Sequence, residues 1–202
     1  MPHEVSGGAL SAALTELESC GFIRSFGGYG KCKKETVYQL IDHYTLFYYR
    51  FLEDYHLKNE CFWSRNYRSP ILNTWRGLAF ERVCMTHIRE IKSVLGISGI
   101  AADVYSWIHR GKGEDDRGIQ IDLLLDRADN TVDICEMKYP ADEYVISREE
   151  AEKIERRVNV FAREAGRNKS IRVVMITACG VKRGMNSGCY QAEVTLDQLF
   201  GK

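Results

Sequence analysis

The sequence has no apolar run approaching the ~20 residues that a membrane-spanning helix requires. Its N-terminus also lacks the layout of a signal peptide, in which a charged segment precedes an apolar one. No G-x-x-x-x-G-K-[ST] loop occurs, so ATP binding through that loop is excluded. We therefore expect a cytoplasmic chain that makes no contact with a membrane and has no ATP site of this kind.

The seven cysteines include no C-x-x-C pair, and their number is odd. Neither a disulfide framework nor a zinc site is therefore indicated. Free thiols in this number are typical of a reducing cytoplasm. Cys84, Cys135 and Cys179 stand in apolar segments, where we expect them to be small buried hydrophobic residues.

An excess of charge of one sign is also absent, because 28 Lys and Arg residues balance 28 Asp and Glu residues. Proteins that hold DNA by charge usually carry a clear positive excess, so strong sequence-independent DNA binding is not indicated. A local basic patch stays open. His109, Arg110 and Lys112 form a short basic segment, and Lys153 lies on a later predicted helix. We predict that these four residues contact phosphate; solvated side chains are the alternative.

The first 40 residues are predicted to form a small separate unit. Apolar residues at helical spacing indicate a helix over residues 6–21. Strands at 22–26 and 35–40 flank a glycine-rich turn. These are the final elements of a winged helix, so we interpret residues 1–40 as a partial winged helix. We expect the chain to be the downstream part of a longer protein.

Residues 41–72 are interpreted as a helical linker. Aromatic residues recur at helical spacing through residues 38–57, which indicates an aromatic helix. A base-stacking surface is one interpretation of this stripe. Its helical period and its weakly basic flanks favour the other, a helix that packs between domains.

Residues 73–202 have the pattern of an α/β domain. Ser147 and Glu150 form a predicted capping box at the start of its second helix. Helices are predicted at 73–96 and 147–165, and strands at 102–108, 119–125, 132–137 and 171–177. The order helix, three strands, helix, strand indicates a mixed sheet flanked by helices.

The hairpin of residues 118–139 carries candidate catalytic side chains. If its turn centres near Asp129, Asp122 lies opposite Glu136 and the two side chains share one face of the sheet. Lys138 follows two residues later, so alternation places it on that face too. Two carboxylates on an apolar sheet repel each other and are costly to desolvate. A divalent cation between them would remove that cost.

Mg²⁺ or Mn²⁺ at these carboxylates would polarise a scissile phosphate and lower the pKa of an attacking water. Lys138 would stabilise the developing negative charge or position that water. We therefore interpret Asp122, Glu136 and Lys138 as the catalytic residues of a metal-dependent phosphodiesterase. The alternative is a surface ion pair between Glu136 and Lys138, worth ~0.5 kcal/mol.

This pattern resembles the PD-(D/E)xK superfamily, which has a restriction-endonuclease-like fold. Ile121-Asp122 and the run 136–138 match its motif, with Ile121 where the family name has proline. The superfamily often adds an acidic residue from the helix before the sheet, and the resemblance assigns that role to Glu81; an exposed carboxylate of a helix is the alternative. The resemblance thus implies three carboxylates as metal ligands: Asp122, Glu136 and Glu81.

A closer resemblance covers nearly the whole chain. The segments SGGALSAALTELESCGFI, YQLIDHYTLFYYRFL and RGLAFE, followed by the D…ExK hairpin, occur in this order. This is similar to the C-terminal region of prokaryotic archaeal-type AAA ATPases, where a winged helix precedes a nuclease-like domain of unknown function. The resemblance implies an upstream ATPase module or further copies of the chain as partners.

Two functional hypotheses follow for this expected fold. The first is a DNA phosphodiesterase domain that depends on Mg²⁺ or Mn²⁺. The second is a catalytically inactive module of such an ATPase, with a regulatory, DNA-contacting or oligomerising role. The complete D…ExK set favours the first hypothesis. Balanced charge and the incomplete winged helix favour the second.

Overall fold

The computed structural model describes residues 7–30, 36–53, 61–67, 69–111, 118–165 and 168–201. Its elements in chain order are α1 (Gly7–Ser19), β1 (Ile23–Gly28), β2 (Val37–Leu40), α2 (His43–Phe47), a π-helix (Tyr48–Leu52), α3 (Phe62–Asn66), α4 (Pro70–Thr86), α5 (Ile88–Val94), β3 (Ala102–His109), β4 (Ile119–Arg127), β5 (Thr131–Lys138), α6 (Arg148–Glu164), β6 (Ser170–Thr177), a 3₁₀ turn (Ser187–Cys189), β7 (Ala192–Thr195) and α7 (Leu196–Leu199). No helix in these ranges is long and apolar enough to cross a membrane.

Within the described ranges, seven strands form one mixed sheet in the order β2-β1-β3-β4-β5-β6-β7. β4 runs antiparallel to both β3 and β5. β5, β6 and β7 run parallel to one another. A parallel pair needs a long crossover, and α6 lies in the crossover between β5 and β6. The predicted α/β class, with a mixed sheet flanked by helices, is therefore confirmed.

Helices cover both faces of the sheet, which we name the α4 face and the α6 face. The core on the α4 face includes Phe80, Cys84, Ile91, Leu123, Leu125, Cys135 and Met137. The core on the α6 face includes Trp107, Ile121, Leu124, Ile134 and Phe161. Strands that are covered on both faces have nearly continuous apolar runs. This explains the unbroken sequence Leu123–Leu125 at the centre of β4.

The predicted helix over residues 147–165 is confirmed by α6. The Ser147 side chain accepts a hydrogen bond from the Glu150 backbone N–H at 3.2 Å, so the helix is capped as the sequence indicates. Ile154 and Phe161 are buried on its inner side. The Glu150 carboxylate, predicted to complete a capping box, forms an ion pair with Lys138 of β5 instead.

The N-terminal hairpin belongs to the main sheet. β1 is antiparallel to β2 and pairs in parallel with β3 through Gly27 and Gly28. Phe26 is buried in the core of the α4 face. The helix and two strands predicted for residues 1–40 are present, but the strands extend the sheet and do not form a separate unit. Their interpretation as a partial winged helix stays a prediction.

The single helix predicted over residues 73–96 is wrong in one respect. It is divided into α4 and α5, because His87 adopts a non-helical backbone conformation between them. In the predicted aromatic helix, α2 and the π-helix cover part of the stripe. Phe47 and Phe51 pack against Trp75 of α4 with ring centroids 5.8 and 5.5 Å apart. These contacts agree with the interpretation of the stripe as a packing surface.

Two further features differ from the sequence-based expectation. Cys84 and Cys135 are buried as expected, whereas Cys179 is exposed because it follows the end of β6. β7 and α7 were not predicted from the sequence. A four-residue strand is too short to show a clear period, although Thr195 and Gln198 form a capping box at the start of α7.

Candidate active site

β4 contains a β-bulge at Asp122 and Leu123. The pairs on either side fix its position: Tyr105 with Leu124, and Trp107 with Ile121. Two residues of β4 therefore lie opposite Ser106 alone. A bulge interrupts the alternation of side chains. Ile121 and Leu124, which flank the bulge, both point to the α6 face. Asp122 and Leu123, within the bulge, both point to the α4 face.

The sequence predicted the register of the hairpin correctly but the direction of Asp122 wrongly. Leu123 pairs with Cys135, as a turn centred near Asp129 requires. Regular alternation from Leu123 would place Asp122 on the α6 face together with Glu136. Because of the bulge, Asp122 points to the opposite face, and the predicted pairing of these two carboxylates is not present.

On the α4 face, Asp122 shares a cleft with Glu81 of α4. The cleft has a volume of about 170 Å³ and is also lined by residues of β1, β2, β3 and β5. The Gln120 side-chain amide donates a hydrogen bond to Asp122 Oδ1 at 2.6 Å. This contact fixes the Asp122 carboxylate at the wall of the cleft.

The two carboxylates of this cleft repel each other. The pKa of Glu81 is raised, first because burial disfavours its charge and second because Asp122 is close. Lys138 acts on the pKa of Glu81 in the opposite direction, so its ammonium group lies within electrostatic reach. Two carboxylates therefore come together here, whereas Lys138 does not line the cleft and its ammonium group contacts Glu150 on the other face. Glu81 takes the place that the D…ExK pattern gave to Glu136.

On the α6 face, the side chains of Glu136 and Lys138 each have a partner on α6. Glu136 Oε2 accepts a hydrogen bond from Arg157 Nη1 at 2.6 Å, and Lys138 Nζ lies 2.6 Å from Glu150 Oε1. The predicted alternation of Glu136 and Lys138 to one face agrees with these contacts. Both ends of the E-x-K run are thus engaged by opposite charges.

Burial and pairing shift the pKa values of this second group. The pKa of Glu136 is raised by burial, and Arg157 and Lys138 oppose that shift without cancelling it. For Glu150, burial also raises the pKa, but its contacts with Lys138 outweigh burial and the net pKa is lowered. Glu150 therefore stays ionised opposite Lys138. Glu136 and Lys138 each have an oppositely charged partner on α6.

Of the two groups, the carboxylates of the α4 face are the ones that could hold a divalent cation. Mg²⁺ needs one or two protein carboxylates, since waters and a substrate phosphate fill its other positions. Glu81 and Asp122 supply two in one partly buried cleft, whereas the Glu136 carboxylate already accepts from Arg157. Over the described ranges, no group of three or more His, Cys, Asp or Glu side chains is arranged to hold a metal ion. The predicted three-carboxylate set is therefore not assembled.

The predicted phosphate-contacting residues do not line this cleft where the structure describes them. His109 stacks on Trp107, with ring centroids 5.9 Å apart. Arg110 is exposed, and Lys153 forms an exposed ion pair with Glu149 at 2.8 Å. Lys112 lies outside the described residues. Their contact with phosphate stays a prediction.

Two residues of the α6 face were missed as partners of this group from the sequence alone: Glu150 and Tyr144. Glu150 and Arg157 lie on the same side of α6 as Ile154, because the three are separated by helical spacings of 4 and 3. Charged residues in line with a buried stripe were therefore the available signal. Tyr144 hydrogen-bonds to Glu150, and burial followed by this negative charge raises its pKa to about 12.

Comparison with known proteins leaves the family open. No protein-family model and no curated protein matches the sequence. Among solved structures, the chain is similar to the crystal structure of AF1548, a protein of unknown function. The two share 14% sequence identity with a TM-score of 0.40, over 59% of this chain and 65% of the other. The chain thus spans about two thirds of that protein.

Proposed function

We propose that the chain is a DNA phosphodiesterase domain that depends on Mg²⁺ or Mn²⁺, with Glu81, Asp122 and Lys138 at its centre. The observation that carries this proposal is the pair of like-charged, partly buried carboxylates in one cleft, with Lys138 within electrostatic reach of Glu81. Folding gains nothing from bringing two carboxylates together. A bound cation would offset the repulsion between the two carboxylates.

The order of elements supports a restriction-endonuclease-like fold of the PD-(D/E)xK type. α4 precedes three antiparallel strands, β3 to β5, and α6 then leads to β6, which is parallel to β5. The order of the candidate residues along the chain is also that of the superfamily pattern: Glu81 on the helix, Asp122 on β4, and the E-x-K run at the end of β5.

The chemistry proposed for the site divides between the cation and the side chains. When bound, Mg²⁺ or Mn²⁺ would polarise the scissile phosphate and supply an activated water. Glu81 and Asp122 would hold the ion, and Gln120 keeps the Asp122 carboxylate in place. Lys138 would neutralise charge that develops on the phosphate oxygens.

Glu136 has a different role in this proposal from the one inferred from sequence. Its carboxylate is buried against Arg157 at the end of β5, two residues before Lys138. The pair ties this strand end to α6, so Glu136 and Arg157 act as positioning residues for Lys138. A ligand role for Glu136 would require its contact with Arg157 to break.

The ion pairs of the α6 face favour a second candidate function. Glu136 and Lys138 are each neutralised by α6, and an inactive domain would keep these contacts as ordinary structure. Such a domain would serve as a regulatory, DNA-contacting or oligomerising module, with an upstream AAA ATPase module or another copy of the chain as its partner. This candidate predicts no cleavage under any metal condition.

Cleavage of supercoiled, linear and single-stranded DNA separates the two candidates. The wild-type protein and an Asp122→Ala/Lys138→Ala variant are incubated with each DNA in Mg²⁺, in Mn²⁺ and in EDTA. We expect metal-dependent cleavage by the wild type only. Cleavage by both proteins would indicate a contaminating nuclease, and cleavage by neither would leave the inactive module as the function.

A metal-binding measurement supports the assay without depending on turnover. Mn²⁺ titration of the wild type, followed by the relaxation of water protons, reports whether the cleft takes an ion. Asp122→Ala should weaken Mn²⁺ binding. Asp142→Ala, which removes a carboxylate from another part of the surface, should leave it unchanged. Equal Mn²⁺ binding by all three proteins would show that Asp122 does not bind the ion.

A further inference from the structure

The helix α1 exposes its apolar side. Leu10, Leu14 and Leu17 follow one another at spacings of 4 and 3, so they form one stripe along the helix. Leu10 is 50% and Leu17 is 42% exposed, Leu14 is half-buried, and none of the 13 residues of α1 is buried. We name these three leucines the α1 stripe. A helix of this length is marginal in water unless its apolar side packs against another surface.

A second apolar surface is a groove between α4 and the segment formed by α2 and the π-helix. The groove has a volume of about 500 Å³, and Leu46 and Arg50 line one side of it. The other side consists of residues of α4 at helical spacing: Pro70, Ile71, Thr74, Trp75, Leu78 and Arg82. We name this surface the Trp75 groove. Ile71 and Leu78 are 54% and 44% exposed, and no residue of α1 is among the described residues that line the groove.

The helix and the groove carry opposite charges. Glu16 and Glu18 are the charged residues of α1, and both lie in its last turn, at the negative end of the helix dipole. Arg50 and Arg82 are the charged residues among the described lining of the groove. An apolar stripe with an acidic end therefore matches an apolar groove that carries basic side chains. Docking of an amphipathic helix in an apolar groove is a common mode of protein recognition.

The helix α1 is held away from the groove of its own chain by its contacts with β1. Glu18 Oε1 accepts hydrogen bonds from the Ser25 backbone N–H at 2.8 Å and from the Ser25 hydroxyl at 2.7 Å. The Phe22 N–H donates to the Leu17 carbonyl at 3.0 Å, so a tight turn joins α1 to β1. Because these contacts fix α1 beside its own hairpin, the groove that receives the α1 stripe must come from another copy.

We propose that the chain forms a two-fold dimer in which the α1 stripe of each copy docks in the Trp75 groove of the other. Two-fold symmetry forms the same contact twice, so one association event covers both stripes and both grooves. The residues that line the Glu81–Asp122 cleft belong to neither surface. The dimer therefore leaves that cleft accessible, and this inference does not depend on the proposed phosphodiesterase function.

Sedimentation velocity over a range of protein concentrations tests the dimer and the role of the stripe. We expect the wild type to change from monomer to dimer as its concentration rises. Leu10→Asp/Leu17→Asp should weaken the dimer about 100-fold or more, because two leucines that the dimer buries are replaced by charges. Val145→Asp is the matched control, since Val145 is 64% exposed and belongs to neither surface. It should leave the dimer unchanged.

A mixture of two variants distinguishes docking in the groove from pairing of α1 with α1. Ile71→Asp/Leu78→Asp changes the groove and keeps the stripe, whereas Leu10→Asp/Leu17→Asp changes the stripe and keeps the groove. Each variant alone should be a monomer. Their mixture should form a dimer that is weaker than that of the wild type, because one of the two contacts is restored. Thermal melting of every variant checks folding, and exposure of the substituted side chains predicts melting curves close to that of the wild type.

Three results would overturn this inference. The first is a wild type that stays monomeric at every concentration, which would leave the stripe and the groove to other partners. The second is a dimer that neither pair of substitutions weakens. The third is a mixture of folded variants that forms no dimer, which would indicate that α1 pairs with α1. None of these results depends on DNA cleavage or on Mn²⁺ binding, so they are independent of the test of the phosphodiesterase.

Discussion

The carboxylates on the two faces of the sheet have opposite electrostatic surroundings. On the α6 face, Glu136 lies 2.6 Å from a guanidinium, and the ammonium of Lys138 lies 2.6 Å from Glu150. On the α4 face, Glu81 and Asp122 lie near each other, and burial and repulsion raise the pKa of Glu81. Opposite charges in contact stabilise the fold, whereas two carboxylates that share a cleft repel each other unless a cation binds between them. This difference is the reason that we propose the α4 face as the place where a cation binds.

The largest expected effect is on cleavage by Asp122→Asn. Loss of a carboxylate that holds the ion removes several kcal/mol of stabilisation at the phosphate, which corresponds to about 1,000-fold or more in rate. Glu136→Gln should keep cleavage within about tenfold of wild type, because its carboxylate belongs to the other face. Initial rates on one DNA substrate test both variants. Equal losses would show that Glu136 is also a ligand and would end the comparison between the faces.

Lys138→Ala should lower the cleavage rate by about 100-fold, the range seen when one group that stabilises developing charge is removed. The substitution also leaves Glu150 without its partner, so Glu150→Gln is the matched control for the lost ion pair. That control should cleave far better than Lys138→Ala. If both variants lose the same activity, Lys138 acts only through its ion pair with α6.

Arg157→Ala should destabilise the fold by about 2 kcal/mol. The substitution leaves the buried Glu136 carboxylate unpaired, which costs ~3–5 kcal/mol when both partners are fully buried; Arg157 is partly exposed, so we expect less. The double substitution Glu136→Leu/Arg157→Met should recover most of the loss. Denaturant melts of Glu136→Leu, Arg157→Met and the double variant measure the coupling. Additive losses would show that the pair contributes nothing to this face.

The smallest expected effect is on the stability of Glu81→Gln. Without metal and near neutral pH, this variant should be about 1 kcal/mol more stable than the wild type, because functional sites often reduce stability. The pKa of Glu81 is raised above its ordinary 4.5 in the folded state. Its favourable contribution is therefore complete below that value and is lost as pH rises through the folded pKa. The extra stability of Glu81→Gln should therefore appear as pH rises through the folded pKa of Glu81 and should be absent at acid pH.

Mg²⁺ should reverse the order of stability of the wild type and Glu81→Gln. A cation that binds the folded state stabilises it in proportion to its affinity, so Mg²⁺ should raise the melting temperature of wild type more than that of Glu81→Gln. Melting scans at several pH values, with and without Mg²⁺, give both results. A variant that is less stable than wild type without metal at neutral pH would show that Glu81 supports the fold.

Local sequence patterns predicted the regular elements of the central sheet. The apolar runs around Leu124 and Ile134 indicated β4 and β5, and the turn centred near Asp129 gave their register. Ser147 marked the start of α6. All three depend on residues within about ten positions of one another, where periodicity and capping are informative.

The parts of the site that sequence could not supply depend on distant residues. The direction of Asp122 is set by Ser106, the single residue of β3 opposite the bulge. The partners of Glu136 and Lys138 come from α6 after the chain has crossed the sheet. β2 lines the cleft because its neighbour β1 pairs with β3. Motif spacing cannot contain such information.

The bulge in β4 also makes the site sensitive to insertion and deletion during evolution. One residue added to β3 beside Ser106 would give two residues opposite two and restore regular alternation. Asp122 and the part of β4 before it would then turn to the face of Glu136. The length of a strand that carries no candidate catalytic carboxylate therefore decides which carboxylates can meet. Relatives with the same D…ExK letters but a different β3 length would hold their ligands on a different side of the sheet.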